Sequence, residues 1–253
     1  MSRKTVLFIS FLNIILTLNS WASQKVEKYY YQNAVYKEGI KSVKLFRDGN
    51  ELSNPVIELG SDVKLVLKFD DLAEDVKQYS YTIIHCDANW NESYIQQSEY
   101  LAGFPDNPVN DYAQSFNTTV KFVNYQLRIP NEECSPKYSG NYALVVFGEN
   151  NREDLVLIQR FYVVESKVRI EGLVKKATFD PFNGDNQEVD FKIYNEQLRL
   201  SNPREDIQVV LMQNRRWDNA ILNLKPNYIR DNVLDYDYNK ENVFPGGNEF
   251  RYF

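Results

Sequence analysis

The sequence predicts an all-β protein, an antiparallel, immunoglobulin-like β-sandwich followed by a second β-rich domain. Apolar residues recur with period two, turn-forming residues separate the runs at short intervals, and no window carries a sustained amphipathic helical stripe. In Val63-Lys64-Leu65-Val66-Leu67-Lys68-Phe69 the residues Val63, Leu65, Leu67 and Phe69 share one face, and Lys64 and Lys68 share the other. That is the pattern of a half-buried strand.

The other elements follow in order. Runs at 40–46, 56–59, 79–86, 120–129, 142–147 and 155–164 are rich in β-branched and aromatic residues. Between them stand Arg47-Asp48-Gly49-Asn50, Asn54-Pro55, Gly60, Asp70-Asp71, Ile129-Pro130-Asn131 and Ser139-Gly140-Asn141, which carry turn chemistry. Short strands at this spacing argue a sandwich. A second set covers 168–174, 189–194 and 207–213, with turns at Asp180-Pro181-Phe182-Asn183-Gly184 and Ser201-Asn202-Pro203. Glu165-Ser166-Lys167 is the longest polar break between 161 and 170, so the expected domains are 23–165 and 166–253. Residues 248–253 read as a strand after Pro245-Gly246-Gly247, which makes the second domain an incomplete one on this reading.

Residues 1–22 read as a signal peptide. Arg3 and Lys4 precede an apolar run at 6–18, and Ser20-Trp21-Ala22 places small residues at the −3 and −1 positions of a cleavage site. The run is shorter than the ~20 apolar residues of a spanning helix. An exported, periplasmic protein is expected. Export removes two bases and no acid, so 29 bases against 35 acids become 27 against 35, and the net charge moves from −6 to −8. An acidic chain is a poor nucleic-acid partner.

Little here supports catalysis. His85 is the one histidine, which excludes a two-histidine metal site. It adjoins Cys86 and Asp87, but neighbours on a strand point to opposite faces, so a triad is not built this way. There is no Gly-x-Ser-x-Gly elbow and no phosphate-cradling loop. Asp235-Tyr236-Asp237-Tyr238-Asn239 copies the first half of a calcium loop, yet Lys240 stands where glycine is required and Gly246 where the bidentate glutamate belongs. Alternating tyrosines there read better as a strand. No enzyme, cofactor, metal or small-molecule substrate is expected.

Two features point outward from the fold. Cys86 and Cys134 are the only cysteines, bound for an oxidising compartment, and they are either a disulfide or two buried thiols. Closing that loop would stabilise by about 4 kcal/mol. The longest non-strand stretch, 87–118, holds Trp90, Tyr94, Tyr100, Phe104 and Tyr112. Its aromatics either cover an open sheet edge or form a recognition surface. Exposed rings would also suit an exported carbohydrate-binding sandwich.

One set of strings resembles a known family. His85-Cys86-Asp87-Ala88-Asn89-Trp90, Ser98-Glu99-Tyr100-Leu101-Ala102-Gly103-Phe104, Ser139-Gly140-Asn141-Tyr142 and Arg160-Phe161 resemble the first domain of the type IX secretion system plug proteins of Bacteroidetes. Gln187-Glu188-Val189-Asp190-Phe191, Asn202-Pro203, Gln213-Asn214, Arg216-Trp217-Asp218-Asn219, Leu224-Lys225-Pro226 and Asn248-Glu249-Phe250-Arg251 are similar to the following domain. The likeness covers about 35 to 253. It implies a non-enzymatic protein that binds the periplasmic end of the outer-membrane translocon β-barrel and closes its pore when no cargo is present. Members run on past the Glu-Phe-Arg string, which again implies an incomplete second domain. Trp90, Tyr94, Tyr100 and Phe104 are the expected partner contacts, chosen for their chemistry.

Overall fold

A computed structural model describes residues 31–149, 151–179, 185–238 and 240–246. The expected signal peptide, the turn at 180–184 and the strand at 248–253 lie outside the described residues. Alternation and turns build the expected all-β sandwich. In chain order it uses β1 (Ala34–Val35), β2 (Ile40–Arg47), β3 (Val56–Glu58), β4 (Leu65–Asp71) and β5 (Tyr79–Cys86). A single helical turn, α1 (Gln97–Tyr100), leads into β6 (Leu101–Gly103), β7 (Asn107–Pro108) and β8 (Asp111–Gln114). Then come β9 (Val123–Ile129), β10 (Cys134–Pro136), β11 (Gly140–Gly148) and β12 (Asn151–Val164).

One sheet runs β1-β12-β11-β5-β7, with β3 added parallel to β12, and the facing sheet runs β2-β4-β9-β8. Leu65, Leu67 and Phe69 of β4 and Tyr125 and Leu127 of β9 meet Tyr142, Leu144 and Phe161 of the larger sheet in the interior. Phe69 stacks on Tyr125 at 5.1 Å between centroids, and Tyr142 stacks on Phe161 at 5.2 Å. The larger sheet is buried on its other face too, where Ile84, Ala143, Val145, Phe147 and Ile158 form a second cluster. For this reason every residue of β5 is buried, a pattern that simple alternation does not anticipate.

The following residues form a smaller sheet from β13 (Arg169–Lys176) and β14 (Gln187–Tyr194). After α2 (Pro203–Asp206) come β15 (Val210–Leu211), β16 (Ile221–Leu222), β17 (Tyr228–Arg230), β18 (Val233–Tyr236) and β19 (Val243–Phe244). The order is β13-β14-β18-β17, β19 also pairs with β14, and β15 pairs separately with β16. Of the strand expected at 207–213 only β15 forms. Phe191, Ile193, Leu224, Leu234 and Tyr236 make the core beneath. Residues from Tyr31 onward cluster as one compact unit, and among the described residues no helix is long and apolar enough to cross a membrane.

Candidate partner-binding surface

The surface is built on a turn. Asp87 follows β5, and its Oδ1 accepts hydrogen bonds from the backbone N–H groups of Asn89 (2.8 Å) and Asn91 (2.9 Å). Trp90 sits within the turn at φ 65°, a left-handed conformation that an indole adopts only where its surroundings fix it. The chain is thereby sent back along the free edge of β5. Ser93 N–H donates to His85 O at 2.9 Å, Gln97 Nε2 donates to Thr82 Oγ1 at 3.0 Å, and Asn107 and Pro108 pair with Tyr81 and Ser80. A bare sheet edge invites unwanted pairing. Here residues 92–108 cover it.

The aromatics of this strip divide by direction. Trp90 and Tyr100 are both 2 % exposed, so they are not the surface contacts that the sequence led us to expect. Tyr100 turns inward, 5.6 Å from the His85 ring and 6.1 Å from Tyr142. Trp90 lies under the Arg160 guanidinium, 4.2 Å from its centroid, and beside Tyr162. Tyr94 is fully exposed and Phe104 is 65 % exposed. The covering of an edge and the display of rings are therefore done by different residues of one segment.

A further exposed ring escaped the sequence reading. Phe116, 93 % exposed, stands in the connection between β8 and β9, with Val120 also exposed. The neck is closed by Ser115 N–H to Phe122 O at 2.8 Å and Phe122 N–H to Ser115 Oγ at 3.0 Å. Residues 115 and 122, seven apart with a serine at one end, were the only local hint of that closure.

The chemical candidates resolve structurally. Cys86 belongs to the outer-face cluster with Ile84 and Trp90, whereas Cys134 lies in the sandwich interior with Tyr81 and Leu101. They are two free buried thiols, not a bridge, because Cys86 points away from the face that Cys134 occupies. Burial pushes both up to about 12. His85 points inward from the neighbouring position, against Tyr142 at 5.1 Å. Burial lowers its pKa and a hydrogen bond with the Ser139 backbone partly opposes this. Asp235 and Tyr236 lie on β18, and Tyr236 stacks on Phe191 at 4.5 Å. Asp237 meets Glu188 and Asp190 instead, and the Lys175 ammonium, 2.5 Å from Asp190 and 3.4 Å from Glu188, supplies their countercharge.

Arg160 is the residue whose importance sequence reasoning missed. It is a charge in the middle of the apolar run 155–164, between Ile158 and Tyr162 on the outer face. A buried charge in a strand must have partners waiting, and that signal was present. The strings that carry the family resemblance converge on this region. Asn141 Nδ2 donates to Asp87 O at 3.1 Å, Gly140 lies against His85, and Trp217 reaches Trp90 with ring centroids 5.9 Å apart.

Residues 40–165 match the family model of the type 9 secretion system plug protein 1st domain. No protein of curated function matches the chain. Among solved structures it is similar to a hypothetical protein from Parabacteroides merdae ATCC 43184, at 34% identity and a TM-score of 0.84. That match covers 88% of this chain and 56% of the other, so the chain spans about half the length of that protein. Through the sandwich of residues 40–165, the chain belongs to the type 9 secretion system plug protein first-domain family.

Proposed function

We propose that the chain binds the periplasmic end of the outer-membrane translocon β-barrel and seals its pore while no cargo occupies it. It reaches the periplasm through a cleaved signal peptide at 1–22, presents its first domain over 23–165, and begins a second domain at 166. The contact is made by Tyr94, Phe104 and Phe116, and no catalytic step is involved.

One observation carries the binding reading. Tyr94 and Phe104 are exposed on a strip whose backbone is fastened to β5. Large rings held on a rigid scaffold lose little conformational entropy on docking, which is why aromatics dominate interface energetics. The sandwich supports this as a stiff body, since its larger sheet is packed on both faces. A sugar-binding reading fares worse. It needs a row of exposed rings, and two of the four candidate aromatics are buried.

The seal is tested by envelope permeability. Cells lacking the protein should admit a bulky hydrophilic dye across the outer membrane, and cells carrying Tyr94→Ser, Phe104→Ser and Phe116→Ser together should behave alike. Unchanged dye entry in the deletion strain would remove the sealing role.

A further inference from the structure

Arg160 is 8 % exposed, among apolar neighbours on the outer face of the larger sheet. A guanidinium is costly to bury unless its donors and faces are satisfied. Its Nε donates to Tyr31 O at 2.6 Å, and its backbone N–H donates to Asn33 Oδ1 at 2.7 Å. Its Cζ lies 4.2 Å from the Trp90 ring centroid and 4.8 Å from that of Trp217. The two indoles meet each other edge to face, at 89°.

These partners come from separate stretches of chain. Tyr31 and Asn33 precede β1, Trp90 belongs to the turn after β5, and Trp217 lies between β15 and β16 beyond the sandwich. A cleft of about 350 Å³, lined also by Trp90 and Trp217, lies between Ala88, Asn141 and Tyr162 on the sandwich and Gln208, Val210 and Met212. Arg215 donates a hydrogen bond to Leu52 O. The direct connection, residues 165–168, is exposed and forms no strand, so it does not fix the smaller sheet by packing.

We infer that Arg160 is a latch: its guanidinium, seated in the corner formed by Trp90 and Trp217, holds the smaller sheet against the sandwich, and releasing that contact frees the sheet to move about residues 165–168. Lysine does not substitute, because an ammonium lacks both the planar surface that lies against an indole and the Nε–H that reaches Tyr31 O. The latch does not depend on what the exposed aromatics bind.

The tryptophan content makes the test direct. Trp21 falls in the expected signal peptide, which leaves Trp90 and Trp217 as the only indoles of the mature chain. Their far-ultraviolet exciton couplet therefore reports on that contact. In mature Arg160→Lys the couplet should vanish, and tryptic cleavage after Lys167 in the connection should accelerate about tenfold or more, with amide exchange in β5 and β11 unchanged. Trp217→Leu leaves the sandwich partners of Arg160 in place, so it decides the matter if Arg160→Lys fails to fold. It should accelerate cleavage after Lys167 equally. A folded Arg160→Lys that keeps the couplet, or a Trp217→Leu cleaved there at the wild-type rate, would overturn the latch.

Discussion

A Cβ placed on Gly140 would come within 2.4 Å of Nε2 of His85. The imidazole is packed against Tyr100 and Tyr142 and has no room to retreat. Gly140→Ala should therefore cost about 1–3 kcal/mol through overpacking, read as a lower urea midpoint with an unchanged slope. A midpoint equal to wild type would show that the His85 pocket yields.

The same histidine sets an acid limit. Its Nδ1 is buried without a hydrogen-bond partner, and its pKa is lowered by burial. The unfolded chain then takes up a proton first as the pH falls below the ordinary value of 6.5. Stability contributed by neutral His85 is present above that pH and is lost as pH drops through the folded value. His85→Gln should flatten this part of the stability profile. An identical acid limb in the variant would assign the loss to carboxylates.

At the alkaline end the buried acids act together. Cys86, Cys134, Tyr81 and Tyr100 are all pushed up to about 12, each chiefly by burial. Their folded pKa values lie above the ordinary 9.0 and 10.0, so stability is complete below pH 9.0 and declines as pH rises towards 12. A denaturation midpoint that stays level across this window would contradict the burial.

The thiols provide a covalent reading of the same packing. Without reductant, alkylation of the native mature chain should modify neither cysteine, because thiolates are the reactive form and both are suppressed. Alkylation after unfolding should modify both. An unmodified pair after unfolding would mean a disulfide, and with it a different placement of Cys134.

Tyr94→Ser and Phe104→Ser should each change stability by less than about 0.5 kcal/mol, since neither ring is packed. Trp90→Ser should be severely destabilising by comparison, which thermal melts of the three variants would reveal. Equal melting temperatures would mean that Trp90 is not the inward anchor of the strip.

What the sequence made legible follows from how far each signal reaches along the chain. Strands such as β4 and β9 bury one patterned face, so period two exposes them. β6, β7 and β8 are two to four residues long, and β6 and β7 contain glycine, asparagine or proline, so their pairing partners decide them. The four aromatics between 90 and 104 are alike in local sequence. Trp90 goes inward because Arg160 of β12 and Trp217 wait there, and Tyr100 because Tyr142 and His85 do. Those partners lie 42 or more positions away for Tyr142, Arg160 and Trp217, beyond any periodicity. The cysteines show the same divide. Alternation correctly sets Cys86 opposite His85, but the face taken by Cys134 depends on β10 pairing with β6.

The central claim is a physical contact between the displayed aromatics and the translocon, and recovery of that barrel from envelope membranes tests it most directly. Tagged mature protein should retain one very large outer-membrane β-barrel after detergent extraction. The folded Tyr94→Ser, Phe104→Ser, Phe116→Ser variant should lose it at equal bait, since truncating anchors of this kind typically costs more than about 1 kcal/mol each. Wild-type protein that recovers no barrel, or a triple variant that recovers as much as wild type, would contradict the contact.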